Sequence, residues 1–491
     1  MSLKSKVVGG ATWNLVGKMA DYVFRFTIGV VIARLLSPAE YGIVGLANIF
    51  ITLSYIFVDS GFTYALIQKQ DCNERDYSTV FYFNILVSFS LFILIWFLSP
   101  VIAHFFKEPK LISVIRALIL VILIQALYIV QVAKLKKGMA FKQLAQAQVI
   151  ANFLSGIIAL FLAYKGFGVW ALVTKSLCLQ LLLLLIYTLR IKWKPLLVFD
   201  KLSFKKLFSF GSKHLIGGIL NSIYLQLKSI IVAKFYSPSE YGVYSRAESF
   251  QSMTTTQIAA TITEVTFPLF SGIQDNLETL KKSLSKIIRI VLLIVMPLSI
   301  LLMIIAKPMV MFLLGNKWSG VIKYLELLYI YGAIYPIAPV LLNSINAIGR
   351  SDLVLKLEII RKTLDIPILF LGALISIQMM IIGIIVNHSI STVLCLITTK
   401  RTINYSIKDF LMDFKVPVII SAILLCILLI INNYIHNHLS NILICFILSL
   451  TAIGIMFIMC KTFKIKEIYE LYNLFISKMK YGTKLLKNKF I

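Results

Sequence analysis

Acidic residues are scarce in this chain: 21 Asp and Glu stand against 49 Lys and Arg, and the 491 residues carry a formal net charge of +28 at pH 7. The six cysteines form no C-x-x-C pair and no Cys/His spacing, so neither a disulfide framework nor a zinc site is indicated. The dipeptide Gly17-Lys18 lacks the spacing and the following Ser or Thr of a phosphate-binding loop. No residues stand at the spacing of a catalytic site. We therefore expect neither an enzyme nor a bound cofactor.

Apolar residues are abundant, at 59% of the chain, whereas soluble globular proteins contain about 45–50%. They occur in repeated runs of about 20 residues, the length at which a helix crosses a bilayer. The sequence therefore predicts an all-α polytopic membrane protein with about fourteen transmembrane helices. Their expected bounds are 8–33, 41–67, 77–99, 111–133, 143–164, 166–189, 208–233, 241–270, 284–306, 322–347, 352–377, 379–399, 416–433 and 440–460. The boundary near residue 378 is barely polar, and one kinked helix there would reduce the count by one.

Lysines and arginines are distributed unevenly between the two sides of the predicted membrane. When alternate loops are assigned to alternate sides, the side that holds both termini collects 29 basic residues in its loops and the other side eight. Because short basic loops stay in the cytoplasm, we predict that both termini are cytoplasmic. The high charge is thus explained without a nucleic-acid partner. The basic tail, 462–491, is either an amphipathic segment on the inner leaflet or a partly disordered tail.

Two stretches that lie 200 residues apart show that the chain contains two related halves. Residues 33–42 read ARLLSPAEYG and residues 233–242 read AKFYSPSEYG, with six of ten positions identical. In each half an apolar helix precedes this S-P-x-E-Y-G motif and a second one follows it. Proline lacks an N–H group and restricts the residue before it, so we interpret the motif as a structural turn that ends the first helix.

Basic residues also lie inside the predicted spans, where a central Arg or Lys costs about 2.5–3.5 kcal/mol on insertion scales. Chains retain such residues mainly where they face a bundle interior or a watery cavity. Several of them, from both halves, fall in the outer half of their spans. We therefore predict a cationic, water-filled cavity between the two bundles and an anionic ligand. The candidate ligand-binding residues are Arg25, Lys175, Lys228, Arg246 and Arg361.

Acidic residues inside the spans are fewer, and we consider four of them for ion coupling or charge pairing: Asp21, Asp59, Glu248 and Asp365. Asp21 and Arg25 are four residues apart on one helix and could neutralise each other. Asp365 lies two residues before Pro367 and one turn after Arg361. It could bind a coupling ion beside a kinked helix, or form an ion pair with Arg361. No group of residues has the spacing of a metal site.

An ordered series of motifs is similar to a known family. The motifs are LLSPAEYGIVGLA at 35–47, DSGFTYALIQK at 59–69, STVFYFN at 78–84, GFGVWALV at 166–173, SPSEYGVYSRAE at 237–248, LLGNKW at 313–318 and NAIGRSDLVLKLE at 346–358. In these residues, which extend over about the first 400 positions, the chain resembles the bacterial polysaccharide transporters. These are the Wzx-like lipid-linked oligosaccharide flippases of the multidrug/oligosaccharidyl-lipid/polysaccharide (MOP) exporter superfamily.

The resemblance implies a MATE-like architecture of two pseudo-symmetric six-helix lobes around a central cavity, followed by two further helices. On this chain it implies an N-terminal lobe at 1–190, a cytoplasmic linker at 191–207, a second lobe at 208–400, two extra helices at 401–461 and the tail at 462–491. The family has no strict catalytic signature, so no site residue is transferred from it. Transport would proceed by one lobe rocking against the other around a central site.

The function implied is export of an oligosaccharide on undecaprenyl pyrophosphate, such as an O-antigen, capsule or exopolysaccharide unit, across the bacterial cytoplasmic (inner) membrane. The partners implied are this lipid-linked oligosaccharide, the bilayer, and the polymerase and other polysaccharide assembly proteins. Three alternatives remain open. A drug/cation antiporter of the same superfamily should have a cavity rich in carboxylates. A membrane-embedded glycosyltransferase or polymerase should have a sizeable outer loop with acidic residues. A structural scaffold would not need charges buried at a shared depth.

Overall fold

The computed structural model describes residues 24–59, 61–436 and 438–463. These residues are helical apart from short connections, and no strand occurs among them. The predicted site residue Asp21 and nearly all of the predicted tail lie outside the described residues. The helices are α1 (24–35), α2 (Pro38–Asp59), α3 (Phe62–Gln68), α4 (Glu74–Phe106), α5 (Lys110–Leu118), α6 (Leu120–Ala126), α7 (Ile129–Lys137), α8 (Phe141–Tyr164), α9 (Val169–Ile191), α10 (Lys201–Phe235), α11 (Pro238–Gln251), α12 (Gln257–Ser271), α13 (Leu277–Ile304), α14 (Ala306–Leu313), α15 (Val321–Ile334), α16 (Ile337–Ala347), α17 (Ser351–Ile375), α18 (Ile377–Ile403), α19 (Ile407–Ile435) and α20 (Asn441–Thr462).

The all-helical membrane architecture predicted from composition is confirmed. Among the described residues, ten helices are long and apolar enough to cross a membrane, or eleven if α5–α6 and α7, bent by 44°, form one span. Three predicted spans are not in this set: 8–33, 241–270 and 352–377. Only part of the first is described, the second is interrupted by a polar π-helical turn, and the third carries several charged side chains. The exact number of fourteen stays a prediction.

The uncertain boundary near residue 378 is a sharp turn between two separate helices. Ser376 is extended, with φ −167° and ψ 159°, and its side chain accepts a hydrogen bond from the Met379 N–H at 3.0 Å. The two helices fold back on each other so closely that a Cβ at Gly372 would lie 2.7 Å from Cα of Met380. α17 and α18 therefore form an antiparallel hairpin rather than one kinked helix.

Each S-P-x-E-Y-G motif starts a helix with the same set of hydrogen bonds. Ser37 N–H donates to Glu40 Oε2 at 2.6 Å, and Glu40 N–H donates to Ser37 Oγ at 3.4 Å. Ser237 and Glu240 repeat this arrangement, with both distances at 3.2 Å. This is a capping box, in which serine and glutamate satisfy the first free N–H groups of a helix. Proline at the first helical position needs no hydrogen-bond acceptor there.

The two motifs pack against each other through their glycines. A Cβ at Gly42 would overlap the carbonyl oxygen of Pro238, and a Cβ at Gly242 would overlap the carbonyl oxygen of Pro38. The contact is therefore reciprocal, and neither position has room for a side chain. The motif acts as a helix start and as a packing surface, which explains its glycine as well as its Ser, Pro and Glu.

The chain divides into two compact units, the first ending at Ser245 and the second beginning at Arg246. In the first unit α10 packs on α2 and α3. In the second, buried residues of α12, α13, α16 and α18 form one apolar core. Beside that core, Asp413 of α19 receives hydrogen bonds from Arg289 at 2.7 Å and from the Tyr405 hydroxyl at 2.9 Å. The predicted division of the chain at 191–207 stays a prediction.

Candidate functional site

Polar side chains gather near the middle of the α17–α18 hairpin in the second unit. The middle of a transmembrane hairpin is an expensive place for such groups, so charged residues there mark a functional site by default. A broken helix, α15–α16, lies against the same part of the hairpin. We call the following residues the midspan cluster: Tyr331, Tyr335, Glu358, Arg361, Asp365, Asn387 and His388.

Asn387 connects the two helices of the hairpin. Its Nδ2 donates to Asp365 Oδ1 and to the backbone oxygen of Arg361, the latter at 3.3 Å. Asn387 is 1% exposed and Asp365 is 9% exposed. The Asn387 Oδ1 has no hydrogen-bond partner among the described residues. Because buried polar atoms normally have a partner, this oxygen is suited to bind a water molecule or a cation beside the Asp365 carboxylate.

Arg361 forms an ion pair with a glutamate in the preceding turn of the same helix. Its Nη2 lies 2.8 Å from Glu358 Oε2, and Lys362 Nζ lies 4.0 Å from the same oxygen. The Arg361 and Glu358 side chains are 20% and 27% exposed, respectively. The positive charge that the sequence places at this depth is therefore accompanied by carboxylates, and an anionic ligand would compete with Glu358 for the guanidinium group.

His388 fills the break between α15 and α16. Pro336 lacks an N–H, so the helix stops at Ile334 and restarts at Ile337. The imidazole stacks on the Tyr335 ring at 5.7 Å and meets the Tyr331 ring edge-on at 5.3 Å. Its Nε2 has no hydrogen-bond partner among the described residues. The imidazole is thus held by contacts of its ring with the two tyrosines and has a nitrogen left to hold or pass a proton.

A second helix irregularity lies next to this break. The π-helical turn Ser252–Thr256 connects α11 and α12, and Gln251 Nε2 donates to the hydroxyls of Thr255 and Thr256, both at 2.9 Å. A Cβ at Gly332 would overlap the Thr255 hydroxyl, so α15 touches the π turn directly. π turns and interrupted helices are frequent at binding and transport sites, because they free backbone groups inside the membrane.

The structure brings together some of the predicted site residues of the second unit. Arg361 and Asp365 both accept a hydrogen bond from Asn387, Arg361 through its backbone oxygen and Asp365 through its carboxylate. Arg246 lies on the same helix as Glu248, with its guanidinium carbon 5.2 Å from the Phe250 ring centroid. The predicted Arg361–Asp365 ion pair stays a prediction, whereas the Arg361–Glu358 pair is present.

The remaining predicted residues belong to the first unit. Arg25 is exposed on α1, and Lys175 and Lys228 are partly buried on α9 and α10. Asp59 ends α2 and accepts a hydrogen bond from the Thr63 hydroxyl across the break at Gly61. Lys136 acts electrostatically on the same carboxylate. Asp59 therefore links the end of α2 to α3 through the Thr63 side chain.

Sequence reasoning missed the tyrosines, Asn387 and His388 as members of the site. Asn387 and His388 stand together inside a transmembrane helix, in the run IIVNHSIST, which is an unusual place for two such polar groups. The tyrosines stand in YIYGAIYP, directly before the proline that breaks the helix. Both are weak signals, because the partner that gives them meaning is distant in the sequence. No group of three or more His, Cys, Asp or Glu in the described residues could hold a metal ion.

Comparison with known proteins gives a consistent family. The model of a family described as polysaccharide biosynthesis protein matches residues 31–323. The chain is 26% identical to the teichuronic acid biosynthesis protein TuaB of Bacillus subtilis, over 72% of this chain and 73% of that protein. It is 23% identical to the lipopolysaccharide biosynthesis protein WzxC of Escherichia coli, over 76% of each. The Wzx-like resemblance seen in the motifs is confirmed.

The fold is similar to that of solved transporters. The lipid II flippase MurJ in an inward closed conformation superposes with a TM-score of 0.71 at 16% identity, covering 92% of this chain and 100% of that one. A multidrug resistance transporter of the MATE family in an inward-facing conformation gives 0.57 at 15% identity, covering 80% and 98%. At these identities the likeness shows a shared MurJ/MATE-like fold.

Proposed function

Since this chain belongs to the polysaccharide biosynthesis protein family, we propose that it carries an undecaprenyl-pyrophosphate-linked oligosaccharide from the cytoplasmic to the outer face of a bacterial inner membrane. It is a multi-pass membrane protein of a transporter family. Two of its relatives are named for the synthesis of surface polysaccharides, and its fold is similar to that of a lipid II flippase. The observation that carries the proposal furthest is the charged midspan cluster, since ionisable residues inside a membrane span mark a substrate or ion pathway by default.

The proposed cargo explains the kind of charge that the chain retains. A pyrophosphate head cannot cross hydrocarbon without compensation, while the polyprenyl tail can remain in the lipid. We propose that Arg25, Lys175, Lys228, Arg246 and Arg361 neutralise this head group. A membrane potential that is negative inside favours outward movement of an anion by about 2.3 kcal/mol per charge per 100 mV. No nucleotide is needed for that part of the driving force.

We further propose that the Asp365 side of the midspan cluster responds to a cation. Asp365 and Asn387 present a buried carboxylate and an amide oxygen at one point, and His388 offers a ring nitrogen nearby. Binding of a proton here would change the charge balance around Arg361. Release of Glu358 from Arg361 would then accompany binding of the anionic head group, which couples the two events through one side chain.

The test compares a strain that lacks the gene with the same strain complemented by the gene. Lipids are extracted and polyprenyl-pyrophosphate sugars are measured by mass spectrometry, with a separate assay of the membrane face that holds them. In the strain that lacks the gene, we expect the complete lipid-linked oligosaccharide to accumulate on the cytoplasmic face, and we expect the complemented strain to export it. If the lipid-linked sugar is absent, the protein acts in its synthesis, and if nothing changes, a drug/cation antiporter becomes the better assignment.

A matched pair of variants tests the site. Arg361→Ala should reduce export by about tenfold or more, because a hydrogen bond to a charged group contributes about 1.5–3 kcal/mol. Lys356→Ala is the control, since Lys356 is an exposed cation on the same helix, α17, and lies outside the midspan cluster. Equal export by both variants, at equal membrane levels, would remove Arg361 from the proposed site.

A further inference from the structure

One cavity in the second unit is lined by residues that the transport proposal does not use. Its volume is about 670 Å³, within the usual range for small-molecule sites. It lies where α13, α15 and α19 reach the end of their spans and where α17 turns into α18. The charge distribution predicts that this end faces outward. We call this cavity the outer pocket.

The mouth of the outer pocket carries charges of both signs. Lys307 of α14 and Lys323 of α15 line it, together with Glu326, one turn after Lys323. All three side chains belong to exposed residues. In the part of the chain that the structure describes, neither lysine has a carboxylate within ion-pair distance, and Lys323 Nζ lies 4.8 Å from the centroid of the Tyr324 ring. The site therefore offers two ammonium groups and one carboxylate to a ligand.

The inner part of the pocket is apolar and points along the helices. Ile330 lies seven residues beyond Lys323 on α15, which corresponds to about 10 Å of helix length. Ile382 and Leu429 continue the apolar lining from α18 and α19. A ligand that fills this space needs a charged head at the mouth and a hydrocarbon portion directed into the membrane. That is the shape of a glycerophospholipid in its own leaflet.

We propose that the outer pocket binds an aminophospholipid of the outer leaflet, with phosphatidylethanolamine as the head-group class. Its phosphate lies between Lys307 and Lys323, and its ammonium group faces Glu326. This head group uses all three charges at the mouth, whereas phosphatidylglycerol would leave the Glu326 carboxylate opposed to an anion. The hydrocarbon chain lies against Ile330, Ile382 and Leu429.

A cavity of similar size in the first unit also has two lysines and a carboxylate, but one of its lysines is already engaged by the protein. It has a volume of about 680 Å³, and its lining includes Lys107, Glu108 and Lys234. However, Lys234 Nζ already donates to the backbone oxygen of Phe105 at 3.0 Å and lies 3.7 Å from the centroid of the Phe105 ring. That ammonium group is occupied by the protein itself, so the outer pocket is the better lipid site.

The experiment uses the full-length protein in detergent, with native mass spectrometry and thermal unfolding as readouts. Phosphatidylethanolamine, phosphatidylglycerol, phosphatidylcholine and soluble glycerophosphoethanolamine are added in turn. We expect phosphatidylethanolamine to bind most tightly and to stabilise the protein. Lys307→Gln and Lys323→Gln should each weaken binding about fivefold, as expected for one lysine near a phosphate-bearing surface. Lys110→Gln is the control, because Lys110 lies in the first unit and lines neither cavity.

Glu326→Gln tests the identity of the head group, because the substitution should change the affinities for phosphatidylethanolamine and phosphatidylglycerol in opposite directions. It should weaken phosphatidylethanolamine binding and strengthen phosphatidylglycerol binding. The proposal is overturned if phosphatidylglycerol binds more tightly to the native protein, or if phosphatidylcholine binds equally well. It is also overturned if soluble glycerophosphoethanolamine binds as tightly as the lipid, or if the lysine variants bind like the control.

Discussion

Replacing Gly42 with alanine should destabilise the first unit, because the added methyl group has no room. Its Cβ would meet the Pro238 carbonyl well inside 3.0 Å, a distance that real Cβ atoms essentially never reach. The atom in the way is backbone, which cannot rotate aside as a flexible side chain could. The two helix starts must therefore move apart. Overpacking of this kind costs about 1–3 kcal/mol.

The control for this prediction is another helical glycine in the same unit. Gly217 lies in α10, and a Cβ there would meet nothing within 4 Å. Gly217→Ala should therefore be neutral or should stabilise the protein by about 0.5–1 kcal/mol, the ordinary gain for alanine over glycine in a helix interior. The purified variants are compared by thermal unfolding in one detergent, with membrane levels measured in parallel.

A double variant shows whether Gly42 and Gly242 belong to one contact or to two independent ones. If they form one reciprocal contact, the two helix starts have already moved apart in the Gly42→Ala variant. Adding Gly242→Ala should then cost less than it does alone, with a coupling of about 0.5–3 kcal/mol. Two independent, fully additive losses, or a Gly42→Ala variant as stable as Gly217→Ala, would refute the close approach of the two motifs.

Three further predictions concern single contacts. Asp413→Ala should cost about 1–3 kcal/mol of unfolding free energy, because it leaves the buried Tyr405 hydroxyl without its hydrogen-bond acceptor. Thermal unfolding measures this loss, and a near-native melting temperature would contradict it. His388→Phe should keep the stacking on Tyr335 but lower pH-dependent export, measured in vesicles with an imposed proton gradient, whereas unchanged export would exclude a proton role. Ser237→Ala should lower stability by about 1 kcal/mol through loss of a helix cap, and equal unfolding curves would argue against the capping box.

The sequence was sufficient wherever the structure depends on neighbours in the chain. The apolar runs predicted the helices, and Ser-Pro predicted where the helices before the two motifs end, although the motif was interpreted as a turn and also forms the start of α2 and of α11. The same holds for the turn near residue 376, although its short polar signal left open whether one helix or two were present. Local periodicity and capping chemistry decide these features, so no tertiary information was needed.

The midspan cluster depends on tertiary contacts and was found only in part. Arg361 and Asp365 were identified because charges are rare in apolar helices. Asn387, 22 residues beyond Asp365, becomes a partner only because α17 and α18 fold back on each other. Arg361 has carboxylates on both sides along its helix, and spacing alone could not show that it reaches Glu358.

The reciprocal contact of the two motifs has a consequence for how the duplicated halves can change. A contact in which position i meets j and j meets i is the isologous arrangement of a symmetric dimer. Within one chain, such a contact ties the two copies of a motif together, because a larger residue in either copy displaces both. Positions outside the contact are free of this constraint, and there the copies differ, as with Arg25 and its counterpart Leu225. Symmetry is thus kept where the two motifs touch each other, and it is lost at positions outside that contact.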